Sequence, residues 1–211
     1  MDRVDARGWT VLLIGGASGV GKTIAAQVIA RRSGISWLQV DDLRLALQRS
    51  HVTLPEATDA LYFFEETPNV RRLPPERLCD GLIAVGAVMS PAIEVVIENH
   101  IDQNVPVVIE GDGILPSLLR RESVQLRATG GQVRAIFAVE PDEEAILANI
   151  TARGRGMTGW SDVELQTDAR AKWLYGQWLA NEAVRFDLPV LEPRPWNTFI
   201  ERLMNASNVS E

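Results

Sequence analysis

Cysteine is almost missing from this chain: Cys79 is the one thiol in 211 residues. No intrachain disulfide can form, so stability must come from a packed core, and a chain of this length has ample core for one domain, residues 1–211. Cys79 stands beside Leu78 and near Leu82, which predicts a buried thiol and a cytoplasmic protein. Histidine is equally scarce. His51 and His100 have no companions at metal-ligand or triad spacing, which argues against a histidine metal centre or a Ser-His-Asp machine and leaves both as structural residues. Positive charge is in deficit. The 21 Lys and Arg against 28 Asp and Glu give a net charge of −7, the wrong sign for a protein whose main partner is a nucleic acid backbone. The segment Met1-Asp-Arg-Val-Asp5 has no apolar signal core, and no uninterrupted apolar stretch approaches a bilayer span, so no membrane partner is expected. There is no internal repeat and no low-complexity tract, and nothing in the composition sets an oligomeric state.

What is present is concentrated near the start. The apolar run Val11-Leu-Leu-Ile14 is followed by Gly16-Ala17-Ser18-Gly19-Val20-Gly21-Lys22-Thr23, a complete phosphate-binding loop between a strand and a helix. Glycines let the backbone fold into a nest of N–H donors around phosphates, Lys22 reaches the β- and γ-phosphates, and the Thr23 hydroxyl ligates Mg²⁺. The helix that follows places Ile24, Ala25, Val28 and Ile29 at helical spacing until Ser33-Gly34 ends it. The nucleotide-binding set is therefore residues 16–24, and the expected ligand is a nucleoside triphosphate with Mg²⁺.

Further on, Ile35–Val40 predicts a second strand that carries Asp41-Asp42 to its carboxyl end, where open α/β sheets keep their ligands. Helices are predicted over 42–49 and 54–63, and a proline-closed loop over 67–75. A helical stripe over 76–104 is interrupted at Ser90-Pro91, which predicts a kink or a fresh start. Strands follow at 105–109, 133–139 and 188–191, and residues 142–186 are helical except for Arg153-Gly-Arg155-Gly-Met-Thr-Gly159. Strands alternating with helices make this an α/β chain with right-handed crossovers and a parallel sheet.

The order of strand, phosphate loop, helix, Asp-tipped strand and Arg-containing insert resembles the P-loop small-molecule kinases, the adenylate and shikimate kinase group. A narrower resemblance is to the 2-phosphoglycerate kinase family. It rests on Gly15–Thr23, on Asp41 followed three residues on by Arg44, and on Val107-Val-Ile-Glu-Gly111 with Pro116 beyond. The resemblance implies a three-layer P-loop NTPase fold with five strands in the order 2-3-1-4-5, a small helical lid within 142–170, and phosphoryl transfer from ATP to a small anionic metabolite, 2-phosphoglycerate first. It also implies that Arg194 and Trp196, after the fifth strand, pass the adenine. Phosphoryl transfer needs held phosphates, neutralised charge and an oriented acceptor oxygen. Lys22 supplies the first. Asp41 is the candidate to orient and deprotonate the acceptor, with Asp42 as the helix cap beside it. Arg44, one turn on, is the candidate grip for an anionic acceptor. Glu110 and Asp112, at the tip of the third strand, are candidates for the metal's surroundings and for the acceptor; Glu110 is paired with Thr23 as the metal choice. Arg153 and Arg155 are candidate arginine fingers. Arg71 and Arg72 in the 67–75 loop stand between an anion site and a solvated pair, and Trp173 and Trp178 read as core anchors. Two other readings stay open: an NTP-hydrolysing switch, against which there is no Asn-Lys-x-Asp guanine motif, and a toxin-like or antibiotic-modifying phosphotransferase.

Overall fold

The computed structural model describes residues 8–50, 58–154 and 158–208. At its centre is β1 (Val11–Gly16), all six residues of which are buried. Its side chains alternate between two cores. Val11 and Leu13 enter one, Leu12 and Ile14 the other, as a strand covered on both faces requires. On one side lie α5 (Pro75–Asp102), which inserts Val85, Met89, Ile93 and Ile97, and α8 (Asp162–Arg185), which inserts Tyr175, Leu179 and Ala183. The other side is covered by α1 (Lys22–Ser33), α7 (Glu143–Arg153) and α9 (Trp196–Ser207), through Ala25 and Ile29, Ile146 and Ile150, and Phe199 and Leu203.

All strand pairs are parallel. The order is β2 (Ser36–Gln39), β3 (Val107–Gly111), β1, β4 (Val133–Ala138) and β5 (Val190–Leu191), which is the expected 2-3-1-4-5. α1 ends at Gly34 in the left-handed region (φ +66), whose N–H closes on the Ala30 and Arg31 carbonyls.

Several elements differ from the sequence reading. Helix α2 (Val40–Ser50) begins at Val40, two residues before the expected start at 42, because Val40 is buried in the core and the chain turns helical as soon as it is seated there. Asp41 and Asp42 therefore both lie in the first turn, and Asp42 is not the residue that caps the helix. The described part of the expected helix at 54–63 is two short pieces, α3 (Thr58–Leu61) and α4 (Phe63–Glu66); residues 51–57, with His51, lie outside the described residues. A 3-10 turn at Val70–Arg72 occupies the 67–75 loop. Helix α5 runs through Pro91 without a fresh start. Met89, Ser90 and Ile93 are buried on either side of the missing N–H and hold the helix together. Helix α5 is also long and apolar enough to cross a membrane, with a mean hydropathy of 1.7 over its best window, closer to a span than the sequence reading allowed. In this fold its apolar stripe faces the sheet. Between β3 and β4 come a 3-10 turn (Pro116–Arg120) and α6 (Glu122–Thr129).

Gly16, the last residue of β1, shows how tightly the loop is set into the sheet. Its φ is +147°, and a Cβ there would lie 2.3 Å from the Ala138 carbonyl oxygen of β4. Gly16→Ala is expected to cost about 2 kcal/mol or more, from overpacking plus an unfavourable backbone. Thermal denaturation checks this: an unchanged Tm would mean that β1 and β4 separate there freely.

Candidate active site

The loop after β1 wraps the N-terminus of α1. Gly19 and Gly21 sit at φ +93° and +79°, conformations that glycine adopts without penalty. Gly21 is the N-cap of α1, where no side chain caps the helix and no acid stands in the first turn. The N–H groups there thus keep their affinity for an anion. Lys22 is 5% exposed. Its Nζ donates to the Ala17 carbonyl at 2.8 Å and to Asp112 Oδ1 at 2.7 Å. The Thr23 hydroxyl donates to Glu110 Oε1 at 2.8 Å. Ile24 turns outward, 67% exposed, and leaves the core stripe to Ala25 and Ile29.

Sheet register explains why three carboxylates meet here. Ile14 and Gln39 both pair with Glu110, so the carboxyl ends of β1, β3 and β2 deliver the phosphate loop, Glu110 to Asp112, and Asp41 side by side. Glu110 is buried. Burial pushes its carboxyl up from the usual range, Lys22 and the Thr23 hydroxyl pull it down, and Asp112 and Asp41 push it up again. Asp41 is also raised, by loss of water around it and by Asp112, against Arg44 and Lys22, although its side chain keeps 62% of its surface open. Tyr175 holds the turn from below: its hydroxyl donates to the Asp112 carbonyl, and burial raises the phenol far enough to keep it protonated.

Two cavities flank this constellation and a small polar one joins them. The larger, about 540 Å³, is lined by Gly19, Gly21, Lys22, Thr23, Ile24, Asn149, Ala152, Arg153 and Trp196. A second, about 270 Å³, is lined by Asp41, Arg44 and Asp112 and by the apolar Phe64, Leu82, Val85 and Met89, with Ser18, Glu65 and Lys172 also lining it. The connecting space shares Lys22, Thr23 and Arg153 with the first and Ser18, Asp41 and Asp112 with the second, and Glu110 also lines it.

Helix α7 fastens the loop. Arg153 Nη1 donates to Ser18 Oγ at 3.0 Å, and Asn149 Nδ2, one turn earlier, donates to the Gly19 carbonyl at 3.1 Å. Arg155 lies outside the described residues. Arg44 reaches Asp41 (3.5 Å) and Glu65 (3.1 Å), so it faces the smaller cavity and not open solvent. Arg194 pairs with Glu140 at 2.6 Å and Asp142 at 3.4 Å and does not line the larger cavity; Trp196, two residues on, packs against Gly21 and lines that cavity. Arg71 stacks over Trp160 at 4.6 Å. Trp178 stacks on Tyr175, Trp173 donates to the Pro141 carbonyl, and His100 Nδ1 is 2.8 Å from the Val105 carbonyl oxygen. Sequence reasoning missed Asn149 and Lys172; both lie within long helices, and no motif marks them.

The residues present fit a magnesium-bound triphosphate: an uncapped helix N-terminus, a buried lysine, and a hydroxyl backed by a carboxylate. Among the described residues no group of three His, Cys, Asp or Glu could hold a metal by itself, so an ion here would share ligands with the phosphates.

No family model matches the chain. It is 28% identical over 205 residues to a protein named 2-phosphoglycerate kinase from Methanothermobacter thermautotrophicus, covering 93% of the chain and 64% of that relative. It is 26% identical over 206 residues to another of that name from Methanopyrus kandleri, covering 92% and 59%. The chain thus spans about three fifths of the length of these curated relatives. Among solved structures, shikimate kinase from Bacteroides thetaiotaomicron superposes with a TM-score of 0.54 at 14% identity, covering 95% of this chain and 99% of that one. The fold is that of the P-loop small-molecule kinases.

A buried glutamate with a raised pKa stabilises the fold below its unfolded pKa, and that contribution is lost as pH rises through the folded value. Glu110→Gln, which keeps an acceptor for Thr23, is therefore expected to melt above wild type at pH 8 in metal-free buffer. The gain should close as pH falls below the ordinary value of 4.5. A Tm difference independent of pH would show that Glu110 bears no charge penalty.

Proposed function

We propose that this chain is an ATP-dependent phosphotransferase that moves the γ-phosphoryl group of Mg·ATP to a hydroxyl of a small anionic metabolite. The name carried by its relatives makes 2-phosphoglycerate the first acceptor to test. The observation that carries the reading is the polar neck between the two cavities. Lys22, Thr23 and Arg153 stand on the nucleotide side, and Asp41 and Asp112 on the acceptor side. A switch that only hydrolyses nucleotide has no use for a second cavity ending at its phosphate loop.

In this reading the loop amides and Lys22 hold the triphosphate, and Lys22 exchanges Asp112 and the Ala17 carbonyl for phosphate oxygens. Thr23, backed by Glu110, ligates Mg²⁺, which when bound neutralises phosphate charge and orients the γ-phosphoryl group. Asp41 accepts the hydrogen bond of the acceptor hydroxyl and takes its proton as the new P–O bond forms and the bond to the β-phosphate breaks. Its raised proton affinity suits that role. Arg153, already bound to Ser18 of the loop, meets the charge that develops in transfer. A lid is proposed within residues 142–170, where Arg155 lies; α7 is not itself the moving part, since Ile146 and Ile150 seat it in the core. Trp196 and Ile24 offer apolar surface at the outer end of the larger cavity, where a base would lie.

Phosphorus NMR of Mg·ATP with 2-phosphoglycerate tests the proposal, since phosphorylating the free hydroxyl yields 2,3-bisphosphoglycerate and ADP. Asp41→Asn is expected to slow transfer by about 10²- to 10⁴-fold with ATP affinity nearly unchanged, the range for losing a positioned base. Asp42→Asn, in the same helical turn, should do far less. Slow ATP hydrolysis that ignores every acceptor offered, and is equal in both variants, would replace the kinase with a switch.

A further inference from the structure

The acceptor cavity holds a second cation that no motif announces. Lys172 lies in the middle of α8 and reaches the same 270 Å³ space as Arg44 of α2. Both side chains are well covered, at 16% and 22% exposure, and both are already paired, Lys172 with Asp168 one turn back and Arg44 with Asp41 and Glu65.

An ion pair four residues apart on a helix contributes a few tenths of a kcal/mol when it lies in water. Taking both charges out of water costs more than such a pair returns. Lys172 and Asp168 are nevertheless largely covered, and the lysine lines a cavity rather than the packed interior. An ammonium has three donors, and Asp168 takes one; among the described residues no second acceptor is bonded to Lys172. Arg44 likewise has more N–H groups than Asp41, Glu65 and the Gln48 amide oxygen use. The space between these cations and α5 is apolar, walled by Leu82, Val85 and Met89.

Resting on the assignment of this cavity to the acceptor, we infer that Lys172 and Arg44 together bind the anionic group of the acceptor, while its carbon skeleton lies on the apolar face of α5. The acceptor class is a small hydroxylated organic anion whose charged group is a carboxylate or a phosphate. Asp168 and Glu65 hold the two cations in place until that group arrives. Asp41 and Asp112, on the neck side, repel a second anion and so keep the hydroxyl end toward the phosphate loop.

Calorimetric titration of the protein saturated with Mg²⁺ and a non-hydrolysable ATP analogue tests this, with 2-phosphoglycerate and glycerate as probes. Lys172→Met is expected to weaken probe binding by about 10- to 100-fold, the loss of one charge-assisted hydrogen bond, with affinity for the ATP analogue retained. Lys172→Arg should restore most of the binding, which a merely structural role for the lysine would not require. A loss shared by both probes identifies the gripped group as the carboxylate; a loss confined to 2-phosphoglycerate identifies it as the phosphate. Wild-type protein that binds neither probe, or Lys172→Met protein that binds them as wild type does, overturns the inference. Turnover in the same samples separates this from the kinase reading. Lys172-dependent binding without phosphorylation would sink the kinase and leave the anion site standing. Phosphorylation with a KM indifferent to Lys172 would do the reverse.

Discussion

A buried ammonium organises this molecule. Lys22 is almost sealed from solvent, and a cation so placed is tolerated only with its donors engaged. The Ala17 carbonyl and Asp112 do this in the resting protein. Asp112 can do so only because β3 pairs with β1 in the register that sets Glu110 beside Ile14, and because Tyr175, reaching up from α8, holds the Asp112 carbonyl. The central strand pairing, the core on the α5–α8 side and the phosphate loop thus meet at one charge. That charge is also the one a triphosphate would claim.

The same register makes a site of two halves. The phosphate loop and the β3 tip form the polar neck; α7 and α9 wall the larger cavity through Asn149, Arg153 and Trp196, and α2, α4, α5 and α8 wall the smaller one. Cations on the acceptor side come already neutralised by carboxylates of their own helix or of α4. Charge of both signs therefore crowds a small volume. The carboxyl pKa values of Glu110 and Asp41 are raised there chiefly by loss of water, with neighbouring carboxylates adding to the shift and Lys22, together with Arg44 at Asp41, opposing it. If the smaller cavity takes the proposed acceptor, binding exchanges one set of pairings for another, which suits a small anion of defined shape better than a bulky or cationic one.

How much of this the sequence discloses depends on how local the cause is. The phosphate loop is legible because its glycine conformations, its lysine and its hydroxyl are set by eight consecutive residues. Alternating strands and helices disclose a parallel sheet, its strand order comes only through the resemblance to the P-loop kinases, and the Asp after β2 follows from where such sheets keep their ligands. Helix starts were harder. Val40 enters α2 at once because it is seated in a core built by distant residues, and Pro91 is carried through α5 by packing that no proline rule contains. Arg194 illustrates the limit for site residues: its position after β5 fits a nucleotide contact, and only the folded chain shows that its guanidinium is paired with Glu140, buried and 54 residues earlier. Asn149 and Lys172 escape for the same reason. Each is an ordinary residue within a helix, and only the packing of that helix against the loop or the cavity gives it a role.

The central claim is that the Lys22 ammonium is held in reserve for a triphosphate. Calorimetric titration of wild-type and Lys22→Ala proteins with Mg·ATP and with AMP, alongside circular dichroism of both, tests it most directly. The account predicts that wild type binds Mg·ATP far more tightly than AMP, and that Lys22→Ala loses this advantage while keeping its helical spectrum, since the side chain serves the β- and γ-phosphates. Equal Mg·ATP affinity in the two folded proteins would contradict it.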